Sequence, residues 1–174
     1  PIEAYFKQSK NDFVVNEVPL YEFTGEGEHL ILKVRKKDLT TWDMVNTISN
    51  HIGIKNREIG YAGLKDKNAL TTQYISLPKK YEDKITDFEH SQIKILEKTY
   101  HNNKIRVGHL KGNKFFIRLK RVIGLHKIKI EQALGQIATF GMPNYFGHQR
   151  FGMDKQNYII GEEIESGKTK IRDK

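Results

Sequence analysis

The sequence predicts an α+β fold: a mainly antiparallel, mixed sheet with flanking helices. Three observations carry this. Several short stretches alternate apolar and polar residues at the period of a strand. Only two stretches carry the period of an amphipathic helix, and no strand–helix unit repeats along the chain, as a wholly parallel sheet would require. At 174 residues, the chain has the length of one ordinary domain, which buries roughly 70% of its unfolded surface.

Taken in order, Asp12-Phe13-Val14-Val15-Asn16-Glu17-Val18 reads as a strand, because Val14 and Val15 favour extended backbone. Gly25-Glu26-Gly27-Glu28 is a turn-rich connection, and His29 to Lys37 alternates, with Leu30, Leu32 and Val34 opposite Lys33 and Arg35. Thr40 followed by Asp43 predicts a capped helix. Trp42, Val45, Ile48 and Ile52 form its stripe and Gly53 ends it. Ile59 to Leu77 reads as strand, tight connection, strand. Pro78 to Glu89 is a polar surface connection, and Gln92 to Tyr100 alternates weakly. Ile105-Arg106-Val107 resumes an extended segment. Gly112-Asn113 punctuates, and Lys114 to Val122 alternates with Phe115, Ile117 and Leu119 on one face. Ile130, Ala133, Leu134, Ile137 and Ala138 mark a second helix, closed by Gly141 and Pro143.

Charge narrows the partner class. Thirty Lys and Arg against 21 Asp and Glu give a net charge of +9, which points to a polyanion, nucleic acid ahead of membrane. No apolar run approaches a membrane span, and no signal-peptide pattern opens the chain. The absence of cysteine excludes disulfides, thiolate metal sites and cysteine nucleophiles, and is compatible with a cytoplasmic location. The seven histidines show no helical metal-ligand pair, so no metal is expected, and no phosphate loop or dinucleotide fingerprint implies a cofactor. The chain opens on Pro1 and stops within a charged run, which predicts a piece of a longer protein.

One stretch organises the rest: Gly63-Leu64-Lys65-Asp66-Lys67-Asn68-Ala69-Leu70-Thr71-Thr72-Gln73. It displays Asp66 at a hairpin tip, between two lysines that favour its ionised form and attract polyanions. On charge pattern alone, this is a solvated hairpin tip with no further role. The segment, however, resembles the catalytic motif of the TruD family of pseudouridine synthases, in which the aspartate between basic residues is the essential catalytic group. Three more segments match that family in order. Gly108-His109-Leu110-Lys111-Gly112-Asn113-Lys114-Phe115 is similar to the element whose asparagine and phenylalanine line the uridine site. Pattern alone would make Phe115 a core residue. Asn144-Tyr145-Phe146-Gly147-His148-Gln149-Arg150-Phe151-Gly152 is close to a family signature, where Arg150 is suited to gripping phosphate. Lys7 to Glu17 matches the opening segment. There Lys7 falls at a basic residue near the catalytic aspartate, and Phe13 at a phenylalanine that contacts substrate.

The resemblance implies a tRNA pseudouridine synthase that converts uridine 13 of tRNA to its C-glycoside isomer without cofactor or metal. It implies Asp66 as the catalytic residue and Phe13, Asn113 and Phe115 as substrate-binding. Lys7, Lys65, Lys67, Gln149 and Arg150 become supporting or RNA-binding residues. Whether Asp66 adds covalently or removes a sugar proton stays open. Residues 1–140 are expected to supply the N-terminal part of a pseudouridine synthase catalytic domain. Residues 141–174 are expected to hold the signature and the entry to a family-specific insertion. Family members are roughly twice this long, so a complementary C-terminal half is an expected partner and the isolated chain is expected to be incomplete and inactive. The rival readings are a non-catalytic basic RNA-binding module and a fragment that folds only with its missing half.

Overall fold

Val14, Val15 and Val18 place the first extended segment in a strand, β1 (Phe13–Pro19). The alternating run after the glycine-rich connection forms β2 (His29–Lys36). In the computed structural model, which describes residues 4–143 with Ile159, Glu162, Glu165 and Ser166, the helix α1 (Thr41–Ile52) follows. Thr40 closes a capping box with Asp43, and Gly53 ends the helix in the left-handed conformation at φ +78°. The two-residue strand β3 (Gly60–Tyr61) leads through residues 62–69 to β4 (Leu70–Pro78). A short helix α2 (Glu82–Ile85), strand β5 (Ile93–His101), strand β6 (Leu110–Ile117) and helix α3 (Gly124–Phe140) complete the described elements.

The strands form one six-stranded sheet in the order β5-β2-β4-β1-β6, with β3 paired to the end of β4. Its β1–β4 pair is parallel, with Val15 opposite Thr71, and the other pairs are antiparallel. This is the expected α+β arrangement with a mainly antiparallel mixed sheet. The chain divides into two compact units, Pro1–His126 and Lys127–Lys174.

One face of the sheet is apolar where β2 and β4 meet, at Leu30, Leu32, Val34, Ile75 and Leu77. Met44, Val45, Ile48 and Ile52 of α1 cover it to form the main core. Followed across the register, the same face turns polar and then open. Lys36 stands opposite Thr71, Thr71 opposite Val15, Val15 opposite Phe115, and Glu17 opposite Asn113. The helix thus covers one half of a continuous face, and the other half carries the chemistry-bearing residues.

Several expectations are corrected. Residues 78–89 are more than a surface connection, because α2 buries Ile85 in the main core. Ile105-Arg106-Val107 is not a strand. Ile105 is buried, and its N–H donates to Ser76 Oγ at 2.9 Å. Gly112 and Asn113 lie inside β6, opposite Val18 and Glu17, and the strand ends at Ile117. Trp42 is exposed and meets Tyr61 edge-on, since α1 turns Thr41 and Met44 inward. The Ile59–Leu77 connection is wider than a tight hairpin turn, because β3 pairs with Ile75 and Ser76 and not with the start of β4.

The capping box and the core separate by magnitude. Thr40→Ala is expected to cost about 1 kcal/mol, against about 2–5 kcal/mol for the buried Ile48→Ala. Urea unfolding of both variants checks the ranking. Hydrogen bonds from Thr40 hold the Asp43 carboxyl below its ordinary range. A depressed carboxylate contributes stability above its unfolded pKa and loses it as pH falls through the lower folded value, so the Thr40→Ala penalty should shrink below about pH 4.

Candidate active site

Residues 62–69 connect β3 to β4 without a ladder of their own, so their backbone groups depend on side chains brought in by neighbouring elements. Thr41, at the first turn of α1, accepts the Lys65 N–H on its hydroxyl at 2.9 Å and donates to Gln73 Oε1 at 3.1 Å. Gln73 Nε2 donates to the Gly63 carbonyl at 3.4 Å. Lys36, at the end of β2, sends its ammonium to the carbonyls of Leu39, Asp66 and Lys65. From β1, Glu17 pairs with the Lys65 ammonium at 2.5 Å, and its second oxygen accepts the Tyr74 N–H at 3.1 Å. Lys10 ties the loop to the N-terminal segment, donating to Asn68 Oδ1 at 3.0 Å and pairing with Asp38 at 2.9 Å.

Asp66 stands at the exposed end of this loop. One carboxylate oxygen accepts the Asn68 N–H at 2.8 Å, and the other accepts from Lys7 Nζ at 3.0 Å. Partial burial pushes the Asp66 pKa upward. The Asn68 hydrogen bond, the Lys7 ammonium and the charge of Lys36 outweigh this, so the net shift is downward. Asp66 is therefore an ionised carboxylate at neutral pH.

The flanking residues correct the sequence reading. Lys65 is not a solvent-facing cation beside Asp66, because its ammonium is buried against Glu17. Lys67 is exposed, as expected. The cations that bias Asp66 come from elsewhere: Lys7 from the N-terminal segment and Lys36 from β2.

Lys7 also links the carboxylate to an aromatic surface. Its ammonium lies 4.0 Å from the Phe13 ring centroid and 5.4 Å from that of Phe6. Phe13 stacks on Phe115 with centroids 6.0 Å apart and planes 25° from parallel. Phe115 is 60% exposed, so it is not the core residue that its alternation suggested. Lys7 holds a left-handed backbone at φ +55°, a conformation that costs a non-glycine residue energy and needs support. The support comes from the Tyr5–Lys120 bridge before it and from Asp12 after it. Asp12 is buried, accepts the Ser9 N–H at 2.9 Å and pairs with Lys120 at 2.6 Å. The Lys120 hydrogen bond outweighs burial and keeps its carboxyl below the ordinary range.

The structure thus gathers Lys7, Phe13, Asp66 and Phe115. Asn113 is exposed on the same face of β6, opposite Glu17. Gln149 and Arg150, with the rest of their signature, lie outside the described residues. Sequence reasoning missed Glu17, Lys36 and Thr41. Lys36 and Thr41 read as ordinary members of a strand and a helix turn, and their only local signal was a polar type at an inward-facing position. A cleft lined by Arg35, Lys36, Lys37, His90 and Lys94 does not include Asp66. Among the described residues of the first unit, the Asp66 site is an open shelf, suited to a large substrate lying across it. No group of residues suited to hold a metal occurs among the described residues, and none of their helices is long and apolar enough to cross a membrane.

Chemically, the shelf offers a fixed, ionised carboxylate for nucleophilic or proton-abstracting work, beside exposed aromatic rings suited to stacking on a planar base. Comparison with known proteins bears on the family of the chain. The family model described as tRNA pseudouridine synthase D (TruD) matches residues 1–171. The tRNA pseudouridine synthase D of Sulfurimonas denitrificans is 64% identical over 171 residues, covering 98% of this chain and 48% of that protein. The corresponding protein of Nitratiruptor sp. is 61% identical over 174 residues, covering 100% of this chain and 48% of its own length. The crystal structure of the TruD protein of Methanosarcina mazei superposes with a TM-score of 0.80 at 29% identity, covering 95% of this chain and 39% of that one. The chain therefore spans about half the length of the curated relatives it matches.

The Glu17–Lys65 pair yields a direct test. Glu17→Gln leaves a buried ammonium without its counter-ion and is expected to cost about 3–5 kcal/mol. Replacing both residues together, as Glu17→Gln with Lys65→Met, should recover much of that loss. Denaturant unfolding of the single and double variants measures the difference, and equal losses in both would refute a coupled pair.

Proposed function

The chain belongs to the TruD family of tRNA pseudouridine synthases, and we propose that Asp66 is the catalytic carboxylate of uridine isomerisation in tRNA, at uridine 13. One observation carries this reading: an ionised carboxylate fixed by Lys7 beside the stack of half-buried Phe13 on exposed Phe115. Isomerisation breaks the bond from N1 to the ribose C1′, rotates the base and joins C5 to C1′. The proton leaves C5 and N1 gains one, so the overall composition is unchanged. Asp66 begins the sequence as a carboxylate, either by adding at C1′ or by removing a ribose proton, and both routes need its charge.

The base must leave its stack to reach the shelf, at a cost of a few kcal/mol. Stacking on Phe115 and Phe13 contributes roughly 1–3 kcal/mol in return. Asn113, on the same face, hydrogen-bonds the base edge. Lys7 keeps Asp66 ionised, while Lys67 with Gln149 and Arg150 contacts the RNA backbone. The reaction needs neither metal nor organic cofactor, and its setting is the cytoplasm. Residues 1–140 act as the N-terminal part of the catalytic domain. The remaining length found in the relatives supplies the rest of the site, so a complementary C-terminal half is needed for turnover.

In the full-length protein, Asp66→Asn should abolish pseudouridine formation while tRNA affinity stays within a few-fold, because only the charge is removed. Mass spectrometry of treated tRNA reads the outcome. Full-length wild-type protein that leaves every uridine unmodified would sink the proposal and favour a non-catalytic RNA-binding module. The lowered Asp66 pKa predicts no loss of kcat from this group between about pH 5 and 7, since its charge is lost only on acidification through a value below the ordinary carboxylate range.

Phe115→Ala should slow turnover more than Phe115→Tyr, which keeps the stacking face. Because the ring is exposed, the alanine variant should lose far less stability than the about 3–5 kcal/mol of a buried phenylalanine. Thermal melts beside activity assays check both statements. Unchanged activity in a folded alanine variant removes Phe115 from the site.

A further inference from the structure

Beneath the Asp66 loop lies a buried cation to which the proposed chemistry gives no part beyond its charge. Lys36 is 0% exposed. An ammonium in such a place is costly unless its protons find acceptors. Three do: the carbonyls of Leu39 at 2.6 Å, Asp66 at 3.1 Å and Lys65 at 3.4 Å. No carboxylate forms an ion pair with it among the described residues, so Lys36 is not one half of a structural salt bridge.

The identity of those carbonyls is informative. The Lys65 carbonyl belongs to the peptide plane before the Asp66 Cα, and the Asp66 carbonyl to the plane after it. Holding both fixes the backbone of Asp66 and hence the direction in which its side chain leaves the chain. Lys7 and the Asn68 N–H then fix the carboxylate itself. The Lys36 charge also favours the ionised form of Asp66.

We propose that Lys36 is a positioning residue for Asp66, a buried ammonium that pins both peptide planes flanking it and so aims its carboxylate at the substrate. This rests on the catalytic reading of Asp66. The hold depends on the third proton, because a neutral amine has two N–H groups for three carbonyls. Burial, opposed by Asp66 and Asp43 and reinforced by Lys65, pushes the Lys36 ammonium down to about 8. Across the strands, its register neighbours Thr71 and Ile93 carry no charge. Loss of this proton does not by itself favour unfolding. The unfolded chain keeps lysine protonated up to its ordinary value of 10.5, so between the two values the unfolded state binds more protons and folding gains with rising pH.

The test uses the full-length protein and unmodified tRNA. Lys36→Met is expected to lower kcat about 10²-fold, the scale of a misaimed catalytic group, with KM and tRNA affinity within about threefold of wild type. Lys36→Arg, if it folds, should recover part of kcat. Wild-type kcat should decline as pH rises through about 8, and in the arginine variant that decline should disappear, because guanidinium stays charged. A role confined to folding would lower the melting temperature but leave kcat per folded molecule intact. A folded Lys36→Met variant with kcat near wild type, or with all of its loss in KM, overturns the proposal. If the methionine variant does not fold, the wild-type profile decides: a flat kcat from pH 7 to 9 with the protein folded overturns it equally. Wild-type protein that makes no pseudouridine indicts the catalytic reading of Asp66 instead.

Discussion

The constraint on which the site depends is the need to satisfy the backbone of residues 62–69 without a strand ladder. Between β3 and β4 the chain must leave the sheet to present Asp66, and its amide groups lose their regular partners. The replacements are side chains from the surrounding elements, Lys36 of β2, Thr41 of α1 and Gln73 of β4, while Glu17 of β1 holds the Lys65 side chain. Each comes from an element whose other inward residues build the fold. The loop is therefore only as well placed as the sheet and helix are packed, and the main core of Leu32, Val34, Ile48 and Ile75 supports Asp66 indirectly.

Charge is arranged in two layers around that loop. Below it, Lys36 and the Glu17–Lys65 pair are withdrawn from solvent, where an ammonium survives only by collecting acceptors. Above it, Lys7 and Lys67 remain in contact with solvent and available to a polyanion. Asp66 lies between the layers, and Lys7 above and Lys36 below help to lower its pKa further. The same arrangement lets a carboxylate work close to phosphates, since the cations offset the repulsion that a bare carboxylate would meet.

The aromatic shelf follows from where α1 ends. The helix covers β2 and β4, and nothing among the described residues covers Phe115 on the same face to that extent. Phenylalanines on an open half-sheet are a liability unless something flat lies on them, and a nucleobase fits that description. The backbone strain at Lys7 belongs to the same design. Its left-handed conformation brings one ammonium to both the carboxylate and the Phe13 ring.

The sequence alone was sufficient for features governed by neighbours close along the chain. The Thr40–Asp43 box and Gly53 bounded α1, the alternation of Leu30, Leu32 and Val34 gave β2, and Gly141 closed α3, because caps and periodicity act over a few residues. The four motif segments likewise placed the chain in its family. Tertiary structure decided what depends on residues distant in sequence. Lys65, next to Asp66, pairs with Glu17 instead, while Lys36, thirty residues away, holds the Asp66 carbonyl. Phe115 alternates as a core residue should, yet its side chain is exposed among the described residues. The parallel pairing of β1 with β4 brings Glu17 under the loop, and no local pattern encodes it. The physical reason is common to all of these. Local propensity and period state which face a residue takes, but only the register between strands and the reach of a helix determine what that face meets.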